Sequence, residues 1–412
     1  MKLLQRINLT TVIVALLTFV IGWQLGHRDL KLQWQNYQPQ ISLQNQQPPD
    51  KYKSIDFKLF WETWDLVSKE YFDKKAVDLQ KMYYGAISGM VKAIGDPYTV
   101  FLPPDAQKST KEELGGSFEG VGIQLGFSKE KRLVVIAPLK DTPAQKIGIK
   151  PQDMIIKIDD KDTTDMSLPD AVNLIRGPKG TKVTLEIYRD GDQKPRPFTL
   201  QRDTIVVKSV EVSQKTTSSG KKIAILKLTR FGDRTFDEWT SSVSEALSFS
   251  PEGIILDVRN NPGGYLEGAI DIASEFLDSG TIVIQEDANG GRKVAKVNRN
   301  GRLTKLPLIA LINKGSASAS EIVAGALQDH KRARLVGEQS FGKGTIQEPK
   351  DLPEKTGIHI TTAKWLTPNG RWIHETGLTP DVKAENVNDQ NEQDSSKEEK
   401  DEQLDKALEL LN

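Results

Sequence analysis

The strongest constraint on this 412-residue chain is a strand-turn-helix-strand pattern near its C-terminal end. The apolar run Pro307–Ile312 reads as a buried strand. Small residues tighten the chain at Gly315–Ser320, and Glu321–Gln328 opens a helix with Ile322, Val323, Ala326 and Leu327 on one face. Ala333–Gly337 reads as a second short strand, leading to an isolated lysine in Phe341-Gly342-Lys343-Gly344. The same alternation runs upstream, through strand Ile223–Leu228, helix Phe236–Leu247, strand Gly253–Val258, helix Leu266–Leu277 and strand Thr281–Gln285. A polar loop is expected over 287–301. Strands alternating with helices predict an α/β core with a largely parallel sheet.

A serine cluster thus sits at a strand-to-helix turn, its hydroxyls near free helix N–H groups. One lysine returns 25 positions after Ser318. That arrangement suits a serine nucleophile with a lysine base. The same residues also serve as ordinary N-cap and close-packing residues, and Gly-Lys-Gly as an ordinary turn. A phosphate loop is excluded more firmly. Gly337 to Lys343 fits the first seven positions of G-x-x-x-x-G-K-[ST], but Gly344 replaces the magnesium-binding hydroxyl. The following Thr345–Pro353 is β-like, with prolines at Pro349 and Pro353 where a helix is required.

Ser316-Ala317-Ser318-Ala319-Ser320-Glu321 and Phe341-Gly342-Lys343-Gly344-Thr345-Ile346-Gln347 resemble the signature of the carboxyl-terminal processing (tail-specific) proteases, serine peptidases with a Ser–Lys dyad. The resemblance covers roughly residues 55–385 and includes Gly95-Asp96-Pro97-Tyr98-Thr99. It implies Ser318 as nucleophile, Lys343 as general base and Gln347 as the residue that orients the lysine. It also implies an oxyanion donor from the turn Asn261-Pro262-Gly263-Gly264, with Gly264 slightly favoured over Gly263.

The chemistry sets its own demands. A serine hydroxyl needs a proton acceptor, and lysine serves only when neutral, several units below its reference pKa of about 10.4. Lys343 is therefore expected to be enclosed, without a carboxylate partner. Ala319 N–H, at the helix start, is the expected first oxyanion donor. A histidine base is disfavoured: only His330, His359 and His374 lie outside the N-terminal segment, and no G-x-S-x-G stands at the serine cluster. No H-E-x-x-H or clustered ligands suggest a metal, and no cofactor is expected. S-x-x-K at Ser128–Lys131 and Ser218–Lys221 lies in polar turns, where chance accounts for it.

Residues 105–204 form a second expected unit, resembling a PDZ domain of the bacterial kind. Ser117–Phe127 and Leu133–Ile136 are expected strands, Thr142–Ile147 and Leu168–Arg176 helices, and Lys182–Tyr188 with Arg196–Gln201 a closing hairpin. Val121-Gly122-Ile123 would be the carboxylate-binding loop, whose N–H groups capture a peptide terminus while the peptide adds as a strand. Arg176, at the helix end, is a candidate contact for gating the core.

Lys2 and Arg6 precede an uncharged 19-residue run, Ile7–Leu25, that nearly spans a ~30 Å hydrocarbon core. It predicts a signal anchor within residues 1–28, with the remainder periplasmic or at the cell surface. Residues 29–52 read as a flexible linker. Residues 53–104 carry two helices; the first bears the aromatic stripe Phe57, Phe60, Trp61, Trp64 and Tyr71, read as core or a subunit contact. The protease core spans 205–383, with a hairpin over Ile358–Trp372. An acidic tail, 384–412, ends in a short helix that packs back. The fold class is thus multidomain α+β/α/β: an N-terminal helical segment, a PDZ-like β-rich domain and an α/β core with a mixed sheet.

The 56 acidic and 56 basic residues leave no basic excess for nucleic acid, and the absence of cysteine removes thiol catalysis. Expected partners are protein or peptide substrates with apolar C-termini, the membrane through the N-terminal helix, and a second copy or an activator protein. The competing reading is an inert PDZ scaffold.

Overall fold

The computed structural model describes residues 55–385 except Lys129, residues 401–412, Thr18 and the hairpin Leu30–Gln35/Gln38–Leu43. The anchor run Ile7–Leu25 lies outside the described residues apart from Thr18, as does most of the acidic tail, 386–400. Among the described residues no helix is long and apolar enough to cross a membrane. The chain divides into two units, residues 1–82 and 83–412.

In the first unit, the hairpin occupies sequence expected to be flexible linker, with Leu30 opposite Leu43. The helix Lys58–Glu70 has no buried residue. Its aromatic face stays open, with Trp61 61% exposed. The stripe is therefore not core, and that half of the expectation is corrected.

The second unit contains the mixed sheet that the strand-helix alternation implied. Its order is Val210–Thr216, Lys222–Leu228, Gly253–Asp257, Leu308–Ile312, Arg334–Gly337, Val382–Lys383. Only the first pair is antiparallel. Strand residues alternate between two cores, which is why the central strands read as unbroken apolar runs. Leu226, Leu256 and Ala310 face the helices Thr235–Ser248, Leu266–Ser274 and Ala319–Asp329. Ile225, Ile255 and Leu311 face the other way and meet Leu404, Ala407 and Leu408 of the helix Glu402–Leu411. Each such Ile or Leu, fully buried, contributes about 1.5–3 kcal/mol. Asp401, the N-cap of that helix, and Gln403 also bind Arg259, at 2.7 and 3.1 Å.

A second sheet runs Arg292–Lys296, Thr281–Asp287, Gly357–Leu366, Thr345–Asp351, with Val100–Leu102 also paired to Gly357–Leu366. Here two expectations need correction. The loop over 287–301 contains a strand, turned by Asp287 accepting from Asn289 and Gly291 N–H. The hairpin joins Gly357–Leu366 to Thr345–Asp351 instead of folding across Thr367–Gly370, because Pro368 and the loop beyond it supply no partner strand.

The PDZ-like sheet has the order Arg196–Gln201, Lys182–Tyr188, Met154–Ile158, Leu133–Pro138, Ile123–Phe127, around Val135, Ile155, Leu185 and Ile187. Ser117–Phe127 is split at Val121 and Gly122 into two strands. Ser117–Gly120 pairs instead with Asp203–Val206, tying the domain's ends together. The helix Pro104–Gly115 precedes it, unforeseen because its charged sequence has little apolar periodicity.

Candidate active site

Three serines crowd the turn after Leu308–Ile312, and their surroundings separate them. Ser316 and Ser320 are fully buried. Ser316 Oγ donates to Val258 O at 2.8 Å, and Ser320 Oγ to Asn261 O at 3.0 Å. Both hydroxyls are spent on tying the turn to the Gly253–Asp257 strand and its loop. Ser318 is half-buried and reachable. Its backbone has φ 56° and ψ −115°, outside the regions L-residues prefer. Such a conformation costs on the order of 1–3 kcal/mol and persists only where the surroundings impose it.

Glu321 imposes it. This fully buried carboxylate accepts from Ser318 N–H (2.8 Å) and Lys343 N–H (2.9 Å) on Oε2, and from Gly342 N–H and Ser340 Oγ (both 2.6 Å) on Oε1. One oxygen therefore holds the backbone amides of both candidate dyad residues. Burial pushes the Glu321 pKa up, and the four donors pull it back. Glu321 was missed as a site residue, although Ser318-x-x-Glu321 is the spacing of a capping box.

Lys343 is half-buried and makes no ion pair among the described residues. Burial lowers its pKa below the ordinary lysine value, against the charges of Asp96 and Glu321, which raise it. The Tyr98 ring lies 5.0 Å from Nζ. His359 lies within the lysine's field; burial and then that charge hold its pKa down. Asp96 and Tyr98 reach the site because Val100–Leu102 pairs with Gly357–Leu366, carrying the preceding turn with it. In the sequence this turn stands out only through the family resemblance.

Gln347 sits at a register shift in its strand and donates from Nε2 to Thr345 Oγ1 (2.9 Å) and Thr361 Oγ1 (3.0 Å). No hydrogen bond joins Gln347 to Lys343, or Ser318 Oγ to Lys343 Nζ, among the described residues.

The glycine turn lies directly against Ser318. A Cβ built on Gly263 (φ 101°) falls 2.9 Å from Ser318 Cβ and 2.9 Å from Ala319 N. Gly263 N–H is already taken by Asn261 Oδ1 at 2.9 Å, whereas Gly264 N–H makes no hydrogen bond among the described residues. Ala319 N–H, at the first residue of its helix, has no acceptor within the helix. The turn is braced by Asn261 Nδ2 to Leu228 O and by Phe231 N–H to Gly263 O.

In the PDZ-like domain, Ile123–Phe127 is an edge strand with the helix Leu168–Ile175 packed against it. Val121 O and Gly122 O accept from Ala144 and Leu139 N–H, fixing the loop that opens this edge. Arg176 caps the helix, donates to Glu112 Oε2 at 2.9 Å and stacks 4.6 Å over Phe118. These three residues help line a cavity of about 490 Å³ that also reaches Arg230 of the core.

Three family models match: Peptidase family S41 over residues 222–384, PDZ domain over residues 134–189, and Activating protease CtpB N-terminal domain over residues 19–106. Carboxy-terminal processing protease CtpA of Bacillus subtilis is 39% identical over 325 residues, covering 79% of this chain and 68% of the relative. The carboxyl-terminal-processing protease of a Synechocystis species is 36% identical over 345 residues, covering 80% and 81%. A putative S41 protease from Bacteroides fragilis, 14% identical with a TM-score of 0.53 over 84% of this chain and 96% of that one, shares the fold. The core and the PDZ domain are therefore those of a serine peptidase. The chain belongs to the carboxy-terminal processing proteases of peptidase family S41.

Proposed function

We propose that the chain is a membrane-anchored, extracytoplasmic endopeptidase that takes protein C-termini on its PDZ domain and cuts with a Ser318–Lys343 dyad. The observation that carries this reading is the contrast within the turn: Ser318 is the reachable hydroxyl, strained at a helix start, and its N–H shares one Glu321 oxygen with the N–H of Lys343, a lysine with a lowered pKa and no ion pair among the described residues. Neutral Lys343 Nζ takes the Ser318 proton as Oγ attacks the substrate carbonyl. Ala319 and Gly264 N–H receive the oxyanion. The ammonium then returns its proton to the leaving amine, and water, activated by the same amine, hydrolyses the acyl-enzyme. Gln347 aims the lysine without adding a charge that would raise its pKa.

The open edge at Ile123–Phe127 suits a peptide tail added as a strand, with Val121, Gly122 and Ile123 at its carboxylate. Arg176 would report an occupied groove to the core. The apolar run Ile7–Leu25 suits an anchor, and the open aromatic face of Lys58–Glu70 suits a second copy or an activator.

The test is cleavage of an unstructured protein with an apolar C-terminus by the full chain and its Ser318→Ala and Lys343→Ala forms. Both variants should lose cleavage and keep tail binding. Normal cleavage by Lys343→Ala would overturn the dyad.

A further inference from the structure

The proposed roles of Gln347 and Lys343 leave one question of polarity. A glutamine amide has a donor end and an acceptor end of nearly equal shape. Only the carbonyl end can hold a lysine amine by accepting from it; an NH2 end facing an ammonium repels it. Something must fix which end faces the base.

Asp96 supplies the fixed point. It is half-buried at the start of a short turn, and its carboxylate only accepts. Oδ2 takes the Thr99 hydroxyl proton at 2.7 Å, and Oδ1 takes Tyr98 N–H at 3.0 Å. The buried Thr99 Oγ1, its proton committed, accepts Thr361 N–H at 3.0 Å and so holds Thr361 beside the carboxylate. Burial raises the Asp96 pKa, but the Thr361 and Thr99 side chains and two backbone N–H groups beside it bring it below the ordinary carboxylate value. A Thr361 hydroxyl that turns its proton to the neighbouring carboxylate presents lone pairs, and Gln347 Nε2 donates to it at 3.0 Å. Thr345 Oγ1 takes the other Nε2 proton at 2.9 Å. Both donor positions of the amide are then spoken for.

We propose that Asp96 is a positioning residue for the catalytic base, acting through Thr361 to set the polarity of the Gln347 amide so that its carbonyl oxygen is the end left for Lys343. This rests on the Ser318–Lys343–Gln347 reading above. It gives the turn Gly95–Thr99, which precedes the PDZ domain in sequence, a part in the chemistry that follows that domain. It also explains why a carboxylate can stand near the lysine without pairing to it: its hydrogen-bonding capacity is directed to hydroxyls and backbone.

The charges around Lys343 make the test specific. Asp96 and Glu321 raise its pKa, Tyr98 lies against Nζ, His359 is within its field, and His374 Nδ1 accepts from Gly344 N–H at 3.4 Å. A purely electrostatic Asp96 would affect only the pH at which Lys343 loses its proton. A positioning Asp96 affects the rate after the proton is gone.

The experiment measures kcat and KM against pH for the full chain on a quenched fluorescent peptide ending in three apolar residues. Thr361→Val keeps the shape and the Asp96 charge but removes the relay. It should lower the high-pH plateau of kcat about tenfold, the worth of one hydrogen bond lost in the transition state, with KM and the acid limb unmoved. Thr361→Ser should restore the plateau. Asp96→Asn should lower the plateau similarly and shift the acid limb to lower pH; in a Gln347→Ala background it should cost no further plateau. Wild-type plateaus in both Thr361→Val and Asp96→Asn, with Gln347→Ala impaired, would overturn this inference and leave the dyad standing. Full activity in Lys343→Ala would remove the dyad and the inference with it.

Discussion

Glu321→Gln is the substitution most revealing of how this site is built. Glu321 accepts four hydrogen bonds in a fully buried position, two of them from the backbone amides of Ser318 and Lys343. A glutamine of the same size offers one carbonyl oxygen, which can serve about two of those donors, and turns an NH2 group toward the rest. Two buried donors lose their acceptor, at about 1–3 kcal/mol each. The loss need not unfold a domain whose total stability is about 5–15 kcal/mol. It falls first on the strained Ser318 backbone, which has no other anchor for its N–H. If about 2 kcal/mol appears in the transition state, kcat falls roughly thirtyfold. Removing the Glu321 charge also takes away one influence that raises the Lys343 pKa, so the acid limb of the pH profile moves to lower pH while the plateau drops. The assay is steady-state peptide cleavage across pH, with thermal unfolding alongside. Ser340→Ala is the comparison, because it removes one donor and leaves the carboxylate its other three. A Glu321→Gln enzyme with wild-type kcat and an unmoved acid limb would refute the argument.

Cleavage should rise with pH as Lys343 loses its proton, with the midpoint below the 10.5 of an ordinary lysine. Because the folded pKa is lowered, the unfolded chain binds more protons between the two values, and the buried ammonium weakens the fold at neutral pH. Lys343→Met should therefore abolish cleavage yet melt at a higher temperature at pH 7, measured by calorimetry. Gly263→Ala forces a Cβ to within 2.9 Å of Ser318 Cβ and Ala319 N at a φ of 101°, and should lose nearly all kcat with little change in tail binding. Glu112→Gln releases Arg176 from its 2.9 Å ion pair and should alter peptide-stimulated turnover, as should Arg176→Ala; turnover unchanged in both would end the gating proposal. Trp61→Glu on the open helix face should shift any self-association seen by sedimentation toward monomer while leaving the unfolding of residues 83–412 alone.

Sequence periodicity was enough for elements whose apolar pattern comes from the core they face. Leu308–Ile312 and Gly253–Asp257 are apolar throughout because they are covered on two sides, and the hairpin Lys182–Tyr188/Arg196–Gln201 alternates because one side is wet. Pro104–Gly115 and Arg292–Lys296 escaped because they bury little and so carry no period. At the site, the serine turn and Lys343 were legible from local spacing. Choosing Ser318 from the bare cluster was not, since what separates it from Ser316 and Ser320 is the company of Val258 O and Asn261 O, some 60 positions away. Asp96, Tyr98 and Thr361 come together only through a strand pairing that spans more than 250 residues, and no local pattern encodes that.

The Arg259 bridge has a consequence for how the protein is made. Arg259 opens the turn that holds Gly263 and Gly264, yet its partners Asp401 and Gln403 lie 142 and 144 residues further on. During synthesis, at about 5–20 residues per second, the ribosome delivers the serine, the lysine and the glycine turn well before it delivers the segment that braces them. For those seconds one face of the sheet, with Ile225, Ile255 and Leu311, is also uncovered. The nascent chain thus carries Ser318, Lys343 and the glycine turn before the segment that braces them, and the order of translation itself delays the completed peptidase fold.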